Sequence, residues 1–75
     1  MADLPPMTDI KSSNIAAVGH DGEALYIRFH GKGGPSTYRY STAGGEHHDG
    51  LVNAPSAGGY FHQFIKFAHR GEKVG

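Results

Sequence analysis

The chain has no cysteine and no tryptophan, and its formal charges cancel. Without cysteine, neither a disulfide nor a thiolate zinc site can staple the fold. That absence fits a reducing, cytoplasmic setting. Seven basic residues against seven acidic ones leave no bulk attraction for nucleic acid. No apolar run approaches the roughly 20 residues that span a bilayer, so no membrane association is expected. The opening Met1-Ala2-Asp3-Leu4-Pro5-Pro6 lacks both the basic and the apolar stretch of a signal peptide. The 75 residues must therefore be held by one small hydrophobic core, near the lower limit of self-sufficiency.

What is abundant is glycine, with twelve residues, a number that implies short elements joined by many turns. Residues 1–10 carry two prolines and no periodicity and read as a flexible leader. A first strand is predicted over about 14–19, closed by the turn Gly19-His20-Asp21-Gly22. Its alanines are small enough to let another element approach. The clearest strand is 24–30, where Leu25, Ile27 and Phe29 alternate with Tyr26, Arg28 and His30. Gly31-Lys32-Gly33-Gly34-Pro35 reads as a hairpin connection, since it lacks the spacing of a phosphate-binding loop. A third strand follows over 36–40. If Tyr38 and Tyr40 join the core, Arg28 and Arg39 share the outer face, and either a diagonal register or a bound anion must relieve their repulsion.

A short helix is expected over 46–53, with Leu51 and Val52 turned inward and Pro55 ending it. Ser56 is a natural N-cap for the next helix. Tyr60, Phe61, Phe64, Ile65 and Ala68 then fall on one face of an amphipathic helix over about 56–70, with Gly71 as its stop and 71–75 as a fraying tail. On this reading Phe61 and Phe64 belong to the core. The fold class is α+β: a three-stranded antiparallel sheet packed by one short and one longer helix.

The motif order Ser12-Ser13-Asn14-Ile15, the Leu25-to-Phe29 strand, Tyr38-Arg39-Tyr40, Asn53-Ala54-Pro55-Ser56, Gly58 or Gly59, Tyr60-Phe61 and Ile65-Lys66 resembles the KTSC domain family. The resemblance covers about residues 11–67. It implies a small α+β domain of the kind found alone in bacteria and phages and at the C-terminus of some lysyl-tRNA synthetases. His20 stands where that family more often has tyrosine, and residues 41–48 depart from its Val-Pro step. No general activity comes with the resemblance; the synthetase fusions imply a link to RNA or translation.

Chemistry-bearing clusters are thin. His47, His48 and Asp49 are adjacent, yet no His-x-x-x-His spacing brings His20, His30, His62 or His69 to them, so neither metal nor cofactor is expected. Ser12, Ser13 and Ser56 lack a nucleophile elbow, and no catalysis is expected. Binding has more physical content. The non-core helix face carries His62, Lys66, Phe67 and Arg70, and the outer sheet face carries Tyr26, Arg28 and Arg39; both mix aromatics with cations. The expected function is a small adaptor or regulator that binds a protein, with RNA as the alternative target. Modulation of a host machine by a phage or bacterial protein is one form this would take. A monomer or weak dimer is expected.

Overall fold

The computed structural model describes residues 5–31, 33–41, 43–66 and 68–75. Alternation of large apolar and polar residues produces two hairpins at its centre. Strand β2 (Ile15–His20) pairs antiparallel with β3 (Leu25–Phe29), which pairs antiparallel with β4 (Ser36–Tyr40). Asp21 fixes the first turn: its Oδ1 accepts from the backbone N–H of Glu23 (2.9 Å) and of Ala24 (2.8 Å). Those bonds hold its carboxyl below the usual range. Gly22, at φ 94°, supplies the left-handed residue.

Strict alternation would send Ile15 and Val18 to opposite faces, yet both are fully buried. A bulge between Ile15 and Ala17 absorbs one residue, so that Ile15 pairs with Phe29 and Val18 with Ile27. The inner face joins Ile15, Val18, Leu25, Ile27 and Tyr40 to Leu51 and Ile65 from the helices. Tyr38 and Phe29 pack at its edge, as the alternation predicts.

The sheet has five strands rather than three. β1 (Thr8–Asp9) pairs with Val18 and Ala17 of β2, and β5 (Gly71–Lys73) pairs with β4, giving the order β1-β2-β3-β4-β5. The three-strand count is thus corrected: parts of the expected leader and tail are edge strands, and residues 1–4 of the leader lie outside the described residues. Small residues explain both additions. A Cβ on Gly19 would lie 2.7 Å from Met7 Sδ and from the Pro6 carbonyl, so glycine is what lets the leader cross the sheet there. A Cβ on Gly71 would lie 2.6 Å from the Tyr40 ring. Beyond β5 the Val74 N–H donates to Thr37 O (2.8 Å), and the Thr37 N–H donates to Gly75 O (3.0 Å).

Helix α1 (Gly45–Asn53) buries Leu51 as expected, whereas Val52 is 40% exposed, a correction. Leu51 takes the core-facing position of α1, and Val52, about a hundred degrees further round the axis, turns to solvent. The Ser56 cap is present: its Oγ accepts from the Gly59 N–H at 3.2 Å. The expected continuous helix over 56–70 is replaced by one α-turn, α2 (Ala57–Tyr60), and a π-helical turn over Phe61–Ile65. Lys66 N–H bonds back to Phe61 O (2.9 Å), five residues earlier. The wider turn keeps Phe61 and Ile65 on the sheet and carries Phe64 out, 47% exposed against Tyr60.

Burial pushes the Tyr40 hydroxyl up from 10.0 to about 12. Because the folded value is the higher one, its contribution to stability is complete below about pH 10. It is lost as the pH rises through about 12. Urea midpoints of the parent should fall steeply over this window, and those of Tyr40→Phe should fall less. Parallel curves for the two proteins would contradict the assignment.

Candidate functional site

The two specific ends of the chain's motif pattern meet in space. Ser12 Oγ accepts from the N–H of Asn14 (3.2 Å) and of Ile15 (3.3 Å), making a local turn that opens β2. The His30 N–H donates to Asn14 O at 2.9 Å, which ties this turn to the end of β3. Asn14 then sits against the second motif: a Cβ on Gly58 would lie 2.9 Å from its Nδ2. Gly58 thus brings the first turn of α2 close against the Asn14 side chain.

Between these elements lies an open groove of about 540 Å³, lined chiefly by Ile15, Phe29, Phe61, His30, His62 and Lys66, with Asn14 and the two glycines completing it. Phe29 and Phe61 meet edge to face, with centroids 5.1 Å apart, and form its apolar floor. His30, His62, Lys66 and Asn14 provide polar groups, and among the described residues no carboxylate lines it. His62 and Lys66, four residues apart on the helical segment, both line this groove. His30, Phe29, Phe61 and Asn14 were missed as site residues. The signal available for them was the paired motif ends, whose meeting requires a groove between them.

The other candidates are placed elsewhere. Phe67 lies outside the described residues. Tyr26 is only 4% exposed, which removes it as a stacking surface; it stands opposite Gly19, where the leader crosses. Its hydroxyl accepts from Arg39 Nε (3.2 Å) and donates to Asp21 Oδ2 (3.3 Å). The Tyr26 hydrogen bond raises Arg39 above the ordinary guanidinium range. Arg28 Nε donates to Thr37 Oγ1 at 3.3 Å. Arg28 pairs with Thr37 and Arg39 with Tyr26, so the two arginines are diagonal and their repulsion is relieved by register. Arg70 does not line the groove with His62 and Lys66; it borders a separate hollow of about 340 Å³ with Arg39, Ser41, Gly71 and Glu72.

His20, His47, His48 and His69 are used in local contacts. His20 Nδ1 accepts from the Gly22 N–H (3.0 Å), which puts the ring proton on Nε2, 3.2 Å from Ala43 O. The ring thereby joins the first hairpin to the segment leading into α1. His47 Nδ1 and the Tyr60 hydroxyl share a hydrogen bond (3.2 Å), with the His69 ring 5.1 Å from that of His47. Among the described residues no three His, Cys, Asp or Glu side chains gather as a metal-binding group. No described helix is long and apolar enough to cross a membrane.

A family model described as the KTSC domain matches residues 11–68. The chain belongs to the KTSC domain family. Its fold is similar to the crystal structure of a KTSC domain protein from Yersinia pestis, at 29% identity and a TM-score of 0.79. That likeness covers 93% of this chain and 97% of the Yersinia one. No curated protein sequence matches the chain. The match spans both motif ends, from Ser12-Ser13-Asn14 to Lys66, so the groove is built from KTSC residues. β1 and β5 lie outside the matched span, as do Arg70 and Glu72 of the second hollow.

Proposed function

We propose that this KTSC domain is a non-catalytic binding module, a small adaptor or regulator that takes a protein partner in the groove between β2, β3 and the helical segment. The observation that carries the reading is the groove itself: an aromatic floor of Phe29 and Phe61, flanked by Lys66, His30 and His62 and lined, among the described residues, by no carboxylate. Such a surface suits an apolar side chain presented among acidic or neutral groups. The serines considered as nucleophiles are occupied in backbone hydrogen bonds at Ser12 and Ser56, which supports binding over catalysis.

RNA is the alternative, and salt and nuclease separate the two. A protein contact seated on Phe29 and Phe61 survives nuclease and depends weakly on salt, whereas phosphate contacts weaken steeply as salt rises. The expected result is a partner retained from nuclease-treated lysate by the parent and captured about tenfold less by Lys66→Glu, the loss expected for one charge-assisted contact. Lys66 is exposed, so this variant should melt with the parent. Equal capture by both proteins would remove the groove from the reading, and loss of every partner on nuclease treatment would transfer it to RNA.

A further inference from the structure

Arg39 is held from within the sheet. Its Nε donates to the hydroxyl of Tyr26, which is buried and in turn anchored on Asp21. This chain fixes the guanidinium plane before any ligand arrives, which lowers the entropy lost on binding. Arg39 also lines the hollow that it shares with Ser41, Arg70, Gly71 and Glu72. Among the described residues the Nη atoms of Arg39 make no hydrogen bond, and neither Arg39 nor Arg70 makes an ion pair. Arg39, Arg70 and Ser41 thus line the hollow with one carboxylate, that of Glu72, which stands opposite Arg39 in the β4–β5 pairing, and Asp21 lies behind Arg39 as a second acidic neighbour.

We propose that this hollow binds the phosphoryl group of a small ligand, inorganic phosphate or a phosphate monoester, clamped between Arg39 and Arg70. Guanidinium forks match the oxygens of a tetrahedral oxyanion, and the two cations of the lining outweigh its one carboxylate. The Ser41 hydroxyl donates to a remaining oxygen. Glu72 weakens the site by like-charge repulsion and holds it to modest affinity. The hollow shares no lining residue with the groove, so it is independent of the protein-binding reading.

Amide NMR spectra of the full chain, titrated at low salt with inorganic phosphate and separately with AMP, test this site. Saturable shifts are expected at Ser41, Gly71 and Glu72. Arg70→Gln should weaken the binding about tenfold or more, the loss of a charge-assisted pair. Glu72→Gln should tighten it. Equal affinities for the two ligands would assign the phosphoryl group alone, and tighter AMP binding would assign a nucleoside extension; both support the site. No saturable shift with either ligand, or shifts that persist unaltered in Arg70→Gln, would overturn it. Arg70 is exposed, so loss of fold will not obscure the result.

Discussion

Ile65→Ala is expected to lower the free energy of unfolding by about 2–5 kcal/mol, whereas Phe64→Ala, one residue away, should cost less than about 1 kcal/mol. Ile65 is fully buried among the sheet residues, and its truncation leaves a cavity where the helical segment meets the core. Phe64 is nearly half exposed and rests on the Tyr60 ring, with centroids 4.8 Å apart. A domain of this size has a total stability of only about 4–11 kcal/mol, so Ile65→Ala brings it close to unfolding at room temperature. Urea unfolding followed by circular dichroism measures both variants. The comparison also tests the π-turn, since a continuous α-helix would bury Phe64 on the same face as Ile65. Equal losses from the two substitutions would restore the continuous helix.

Phe61→Ala carries the second large effect, expected at about 2–3 kcal/mol, below the range for a fully buried phenylalanine because the ring forms one side of the groove. Phe61 meets Phe29 at 5.1 Å and Tyr40 at 5.7 Å, each edge to face, so one truncation removes two aromatic contacts. Phe61→Leu keeps much of the volume and should cost less than about 1.5 kcal/mol. The pair separates structure from binding. If the groove takes a partner's apolar group, Phe61→Leu should reduce capture while remaining folded at the assay temperature. Unchanged capture by a folded Phe61→Leu would take the aromatic floor out of recognition.

Both expectations depend on a detail that periodicity does not reveal. The spacing of Tyr60, Phe61, Phe64, Ile65 and Ala68 describes an apolar face at α-helical pitch, and on that pitch Phe64 belongs inside. The observed segment inserts a wider turn, and Phe64 and Ala68 are exposed. The reason lies in what the segment packs against. Tyr60 lies on Gly50 of α1, where a Cβ would meet the ring, while Phe61 is drawn to Phe29 and Tyr40 of the sheet. The backbone at Tyr60 and Phe61 stays α-helical, and the turn widens just beyond them, over Phe61–Ile65. Local spacing holds no information about that competition.

The candidate site divides in the same way. His62 and Lys66 are legible as a polar pair because they are four apart on a helical segment. Arg70 looks like their companion at helical pitch, but the chain leaves the helix before it and enters β5, so Arg70 lines a hollow with Arg39 instead. Tyr26 reads as an outward-facing aromatic from alternation alone. The leader crossing at Gly19 and the hydrogen bonds to Asp21 and Arg39 turn it into a buried support.

By itself, the sequence determined the elements whose signals are local. Alternation specified β3 and β4 and their inner face, glycine and aspartate specified the turns, and Ser56 specified the start of the second helix. The KTSC motifs specified the family. Tertiary structure alone decided which termini became strands, where the helical segment widened, and which side chains met across the groove. The physical reason is that pairing an edge strand or seating an aromatic ring depends on the shape of a surface made by residues far away in the chain. Gly19 and Gly71 show it most directly: each reads locally as a turn or a stop, and each serves as the clearance over which another element lies.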